Sequence, residues 1–450
     1  MFTLSQLAQI LSADCQVNLN PAQSTELVKG FSTDTRFINE GEVFLALKGE
    51  NFDGHRFVEN AINRGASAVI VQEPVSFSPS TAYFQVKDTL AAYQKIAHSW
   101  RKKQTIPVIA ITGSVGKTTT KELVAAVCSR AGRVCKTELN YNNEIGVPKT
   151  LLGITPSDNY AVIEMGMRAK GEIALLAQIT APDLAIITNV GTAHIGRLGS
   201  VEAIARAKCE LLEHLDPSQG IAILNQDNPL LISTAKEVWS GQTITYGLEG
   251  GDLKGELIDN QTMRVNGQDF HLPIVGEHNA ANYLAALAVA KVLGIDWSNL
   301  SQGIPLDLPQ GRSALYKLEN NIQILDETYN AGLESMFAAL NLLKQTSGKR
   351  HIAVLGAMKE LGEYTESFHQ KVGQRVKELG LDQLYVLSSD PEALSILNGA
   401  TGVNAFSCSS KQELISTLKS NIISGDRILF KASHSVGLDQ AVESLRSQQL

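Results

Sequence analysis

The sequence is short of cysteine, of long apolar runs and of positive charge, and each shortage excludes a class of function. Its five cysteines, Cys15, Cys128, Cys135, Cys209 and Cys408, lack the paired spacing of a zinc or redox motif and suggest a reducing, cytoplasmic setting. No run approaches membrane-spanning length, and Met1 to Leu11 has neither the basic start nor the apolar core of an export signal, so neither anchor nor export is expected. A formal charge of −7 argues against general affinity for nucleic acid or an anionic membrane, so an anionic ligand must be met by local positive groups. Repeats and low-complexity tracts are absent as well.

What is present is ample material for cores. Hydrophobic residues make up 44% of 450 and charged ones 19%, a globular composition for about three domains. The chain is organised around the apolar run Ile106 to Thr112, then Gly113-Ser114-Val115-Gly116-Lys117-Thr118-Thr119-Thr120, then helix-forming residues to Gly132. That order reads as strand, glycine loop, helix. Glycines let the backbone turn its N–H groups inward, and the helix start adds partial positive charge, so the stretch suits a polyphosphate. Lys117 would reach the terminal phosphates and the Thr118 hydroxyl would ligate magnesium. Only two residues separate the glycines, where the usual pattern has four.

Two further strands end on polar residues. Ala161 to Gly166 carries Glu164, and Ala185 to Val190 runs into Gly191-Thr192-Ala193-His194. Ligands gather at the carboxyl ends of parallel strands, which puts Glu164 and His194 beside the phosphate loop. Either residue could be structural, and the predicted nucleotide site favours metal or phosphate contact. Lys208 lies on an alanine- and leucine-rich helix, Val201 to Leu215, where a snorkelling surface lysine is the default reading. A hairpin around Asn266-Gly267 leads to a very apolar helix whose Asn279 and Asn282 share a face and could cap the helix or hold a ligand.

The flanking regions read as α/β. Residues 1–104 form a small domain with a helix Leu4 to Leu11, a strand in which Val43, Leu45 and Leu47 share one face, a buried strand Ala68 to Val71, and a last helix from Thr89 running into a linker Arg101 to Gln104. Its loops Ser32-Thr33-Asp34-Thr35-Arg36 and Lys48 to His55 could be solvated turns or ligand contacts. Residues 105–307 form a central domain with a parallel sheet, and residues 308–450 a Rossmann-like domain with distinctive loops Asp326-Glu327-Thr328-Tyr329-Asn330-Ala331, Gly356 to Glu363 and Lys431-Ala432-Ser433-His434-Ser435. No dinucleotide glycine pattern follows a strand in the last domain, so a second cofactor is not indicated.

Together Thr112 to Thr118, Glu164, His194, Lys208, Asn279 and Gly311-Arg312 resemble the Mur ligase superfamily, whose own phosphate loop is short in this way. Leu139 to Pro148, Leu45 to His55 and Gly356 to Glu363 resemble its branch that joins D-alanyl-D-alanine to UDP-N-acetylmuramoyl-tripeptide. The resemblance implies three domains that hold, in order, the UDP-linked sugar peptide, ATP, and part of the ATP and amine sites. It implies that Gly113 to Thr119, Asn279, Arg312 and Asp326 contact ATP, and that Thr118, Glu164, His194 and a carbamylated Lys208 attend magnesium. Lys117, His194 and Lys208 would serve the chemistry. Ser32, Thr33, Asp34, Arg36, Lys48, Asn142, Asn143, Tyr329 and Asn330 would face the substrates. A monomer is the expected state. Three departures stand out: Glu277 where arginine is common, Gln310 for proline, and Lys431 to His434 for a lysine-glycine-serine-arginine run. The implied reaction is an amide ligation through an acyl phosphate. Rivals are a sister ligase, a folate-glutamate ligase, a mechanically coupled ATPase, which the lack of an obvious second acidic motif of the hydrophobic-strand-then-aspartate kind after the glycine loop disfavours, and a nonenzymatic nucleotide-binding scaffold.

Overall fold

A computed structural model describes residues 1–74 and 81–447, so the last three residues of the third expected domain lie outside the described residues. Three sheets follow one another along the chain. The first has five strands in the order Cys15–Asn18, Ala82–Val86, Ala68–Val71, Val43–Leu45 and Phe31–Ser32, with only the Cys15–Asn18 strand antiparallel. The alternation expected near Val43 is not seen, because Val43, Phe44, Leu45 and Ala46 are all buried. A parallel strand covered on both faces needs no polar side.

The central sheet has nine strands, from Gln268–His271 at one edge to Val134–Lys136 at the other. Seven pair in parallel, and the predicted hairpin adds Thr262–Val265 and Gln268–His271 through antiparallel pairings, so that only Thr262–Val265 runs against the rest. Its turn is Asn266-Gly267, with φ of 50° and 80°, as a tight right-twisted hairpin requires. The helix Glu277–Leu293 is buried nearly all round and packs on the phosphate-loop helix Lys117–Cys128. That burial explains its uniformly apolar sequence.

The third sheet has six strands in the order Ala314–Lys317, Gln323–Asp326, Asp426–Lys431, Arg350–Leu355, Gln383–Leu387 and Ala405–Cys408, all parallel except the first. One apolar cluster runs through all three regions, from Phe2 and Trp100 past Leu151 and Leu176 to Met336 and Leu361. The expected linker at Arg101 is instead the docked end of helix Thr89–Arg101. Trp100 Nε1 donates to the Ile154 carbonyl at 3.1 Å, and the buried Arg101 guanidinium binds the Thr180 carbonyl at 3.1 Å and Asp183 at 2.7 Å.

Candidate nucleotide site and the domain interface above it

The strand Val108–Thr112 lies between Tyr160–Glu164 and Leu184–Ile187, all three parallel, and the chain leaves it first toward one neighbour and later reaches the other. A crevice at the carboxyl ends follows from that topology. Gly113 opens the loop with φ +153°, and a Cβ there would meet Thr188 Oγ1 at 1.9 Å. Gly116 has φ +85°, and its Cβ would meet Asn282 Oδ1 at 2.6 Å. Only glycine fits either place. The loop is also pinned from the neighbouring strand end. Ser114 N donates to the Asn189 carbonyl at 3.1 Å, Val115 N to Asn189 Oδ1 at 2.9 Å, and Thr188 Oγ1 to the Val115 carbonyl at 2.6 Å.

At the mouth of the loop, Thr118 Oγ1 donates to Glu164 Oε2 at 2.8 Å, and Asn142 Nδ2 donates to Glu164 Oε1 at 2.7 Å. Glu164 is 2% exposed, so both carboxylate oxygens are oriented in a buried place. Lys117 Nζ donates to the Gly113 carbonyl at 2.8 Å. Burial holds the Lys117 ammonium below its ordinary range, with Glu164 opposing the shift and Arg312 adding to it. The central phosphate loop and the third domain's Arg312 therefore share one electrostatic neighbourhood.

Lys208 does not snorkel. It is 1% exposed, and its ammonium has no hydrogen-bond or ion-pair partner among the described residues. Burial, and next the charge of Lys117, push it well below the ordinary lysine value. The default fails because the alanine- and leucine-rich face around Lys208 turns into the protein.

His194 sits in the left-handed backbone region, φ 67°, and its Nδ1 lies 2.6 Å from Glu360 Oε2. Glu360, from the third domain, is also left-handed at φ 64° and takes Arg197 Nη2 at 3.0 Å. Burial and then Lys117 lower the His194 value despite Glu360. A lowered value favours the neutral ring, and a neutral ring whose Nδ1–H donates to Glu360 carries its lone pair on Nε2. Beside it, Glu334 accepts from Thr192 N at 2.8 Å and Thr192 Oγ1 at 2.9 Å. Two third-domain carboxylates therefore hold the loop that follows strand Leu184–Ile187.

The third domain adds a cationic and aromatic group. Arg312 Cζ lies 3.7 Å from the Tyr329 ring centroid, the ring stacks on His434 at 5.7 Å, and Arg312 Nε is buried without a hydrogen-bond partner among the described residues. Lys431, in the departing run, is 3% exposed and donates to the Asn330 carbonyl at 2.9 Å. Asp326 is buried, its Oδ1 accepts from Thr328 N and Oγ1 at 3.1 and 2.6 Å, and desolvation raises its value. Asn279 is 2% exposed and donates its side-chain amide to the Val275 carbonyl at 2.9 Å, rather than capping the helix.

In the first domain, Asp34 pairs with Arg36 at 2.7 Å, and Ser32 Oγ donates to the Asp34 carbonyl at 2.9 Å. The Arg36 hydrogen bond holds Asp34 below the carboxylate range, and Lys149 of the central domain contributes. The Ser32 to Arg36 loop, with Thr33, therefore faces the central domain. Lys48 pairs with Glu73 at 2.5 Å, and Asn143 Oδ1 accepts from Gly146 N at 2.9 Å to start the helix Gly146–Leu152. Sequence reasoning missed Thr188, Asn189, Glu334 and Glu360. Nothing local marks them, because each acts on a segment far along the chain.

A phosphate loop at the switch point of an open sheet, with a second α/β domain pinned across its mouth, defines a nucleotide-dependent enzyme whose site lies between two domains. The Mur ligase middle domain matches residues 111–290, the Mur ligase glutamate ligase domain residues 311–434, and the Mur ligase catalytic domain residues 27–148. The UDP-N-acetylmuramoyl-tripeptide–D-alanyl-D-alanine ligase of Synechocystis sp. is 53% identical over 435 residues, 96% of this chain and 95% of that one. The crystal structure of MurF from Acinetobacter baumannii superposes with a TM-score of 0.88 at 32% identity, covering 99% of both chains. MurF ligase from Thermotoga maritima in complex with ADP gives 0.82 at 31% identity, covering 92% of this chain and 96% of that one. The chain belongs to the Mur ligase family and is an ATP-dependent ligase.

Proposed function

We propose that the chain transfers the γ-phosphoryl group of ATP to the terminal carboxylate of UDP-N-acetylmuramoyl-tripeptide. The amine of D-alanyl-D-alanine then attacks the acyl carbon and expels phosphate, leaving an amide and ADP. The substrates are those in the names of its relatives, and the reaction belongs to peptidoglycan precursor synthesis. The chemistry is carried by one observation, Lys117 and the Thr118–Glu164 pair at the mouth of one loop, with the third domain's Arg312 near enough for its charge to act on Lys117.

In this reading residues 1–104 hold the UDP-linked acceptor through Ser32, Thr33, Asp34, Arg36 and Lys48, aided by Asn142 and Asn143. Residues 105–307 hold ATP through Gly113 to Thr119 and Asn279, and residues 308–450 add Arg312, Asp326, Tyr329 and Asn330. Lys117 offsets charge on the transferring phosphoryl group. Glu334 and Glu360 hold the third domain over the cleft, which keeps water from the acyl phosphate.

The donor set suits magnesium. Thr118 and Glu164 offer two hard oxygens 2.8 Å apart, and no three His, Cys, Asp or Glu side chains gather among the described residues. A small hard ion that keeps phosphate and water oxygens needs few protein ligands. Bound magnesium would offset negative charge on the reacting phosphates. Thr118, Glu164, His194 and Lys208 would hold it, the last as a carbamate. A buried, unpartnered amine with a depressed pKa is the kind that adds carbon dioxide: its nitrogen lone pair forms the N–C bond and one proton leaves to solvent. The product is an anion, which a site for magnesium tolerates and an ammonium does not.

We place the protein in the cytoplasm as a monomer without nucleic acid partners. Among the described residues no helix is long and apolar enough to cross a membrane. The test is phosphate release with ATP, magnesium, the UDP-linked tripeptide and D-alanyl-D-alanine, each omitted in turn. Full release without the dipeptide would overturn the ligase reading in favour of an ATPase, and release with single amino acids instead would favour a sister ligase.

A further inference from the structure

Glu164 is held at three points, and all three partners come from two segments of the chain. Thr118 Oγ1, at the start of helix Lys117–Cys128, donates to Oε2 at 2.8 Å. The other partners belong to residues 137–142, where the chain leaves the edge strand Val134–Lys136. Asn142 Nδ2 donates to Oε1 at 2.7 Å, and the Glu164 N–H donates to Thr137 Oγ1 at 2.9 Å. This last bond breaks the regular order of the sheet. Thr137 N donates to the Val162 carbonyl at 3.0 Å, and in a parallel ladder the carbonyl of that same residue would take the Glu164 N–H. Here the hydroxyl takes it, so the Thr137 carbonyl is left for another donor.

That donor is Lys121, whose Nζ meets the Thr137 carbonyl at 2.7 Å. Lys121 follows Thr118 by three residues in one helix, so the two share a face. One helix face therefore touches both Glu164 and the segment that holds it. Lys121 is 1% exposed and Thr137 fully buried. A buried ammonium is costly unless paired, and Glu122 supplies the pair, with Oε1 2.7 Å from Lys121 Nζ and Oε2 2.5 Å from Lys136 Nζ. Apolar side chains would seal this seam at less cost. What the charged group adds is direction, because its bond fixes where Thr137, and with it the Glu164 backbone, stands relative to Thr118.

We propose that Lys121 is a positioning residue that acts through Thr137 to set the Thr118 and Glu164 oxygens for magnesium. The inference rests on the magnesium site of the proposed function and adds what holds that site in shape. The probe is Mn2+ in place of magnesium, titrated into the full chain saturated with ADP and read by loss of the free-ion signal in electron paramagnetic resonance. Calorimetry follows ADP binding without metal. Lys121→Met, which keeps the length and removes the charge, should weaken Mn2+ binding by about tenfold, the size of one lost hydrogen bond from a charged group. Thr137→Val removes the hydroxyl under the Glu164 N–H and spares the carbonyl. It should also weaken Mn2+ binding, and it carries the test if Lys121→Met does not fold. The double variant should lose less than the product of the two single losses, as residues acting through one contact do. ADP affinity without metal should stay that of the unaltered chain throughout. Unchanged Mn2+ affinity in the folded variants, or an equal fall in metal-free ADP affinity, would make the seam merely structural and overturn the positioning role while the magnesium site stands. No Mn2+ binding by the unaltered chain with ADP would overturn the magnesium site itself, and the positioning role with it.

Discussion

His194 and Glu360 stand 166 positions apart and meet at 2.6 Å, each in left-handed backbone. Such backbone costs on the order of 1 kcal/mol for a residue with a Cβ, so the two turns persist because the domain contact holds them. Glu360→Gln removes the charge that orients His194. We expect kcat to fall about tenfold or more, the loss of a hydrogen bond to a charged group, with a smaller change in KM for ATP. Unchanged kcat in steady-state assays would show that the contact is merely structural.

Lys117→Ala should reduce ADP formation by roughly a thousandfold, since transfer of a phosphoryl group depends chiefly on charge stabilisation at that point. The fold should not suffer. Burial already disfavours the Lys117 ammonium, so its removal relieves a desolvation cost, and thermal unfolding should show an unchanged or raised midpoint. Turnover near that of the unaltered chain would end the phosphate-loop assignment.

Gly113→Ala forces a Cβ to 1.9 Å from Thr188 Oγ1 and at φ +153°. The loop must move, so nucleotide affinity measured by calorimetry should drop at least about tenfold. Adding Thr188→Ala should return only part of it, because that hydroxyl also holds the Val115 carbonyl. Full affinity in the single variant would mean the loop is not held as described.

Stability should fall in mild acid. His369 is fully buried, its Nε2 accepts from Met358 N at 2.9 Å and its Nδ1 lies 2.6 Å from the Thr365 carbonyl, so the folded protein needs the neutral ring. Burial lowers its value below the ordinary 6.5. The unfolded chain therefore binds the proton first as pH drops. The contribution is complete above about 6.5 and is lost as pH falls through the depressed folded value. Unfolding midpoints at pH 8, 7, 6 and 5.5 should decline more for the unaltered chain than for His369→Gln. Parallel declines would remove His369 as the cause.

The phosphate loop, the strands that end on Glu164 and run into His194, and the Asn266-Gly267 hairpin were all legible because each is local: a short apolar run, a glycine at a turn, a helix start. The default reading of Lys208 as a snorkelling surface lysine failed because helical periodicity shows which residues share a face but not what that face meets. The linker at Arg101 was misread for the same reason, since its charge is satisfied by Thr180 and Asp183, far along the chain.

By itself the sequence determined a strand–loop–helix able to grasp a polyphosphate, because that device uses consecutive residues and backbone N–H groups. Tertiary structure alone decided that Thr118 meets Glu164, that Lys208 is buried without a partner among the described residues, and that Glu334 and Glu360 reach over from another domain. Those relations depend on strand order and domain docking, which bring together side chains that no spacing along the chain connects.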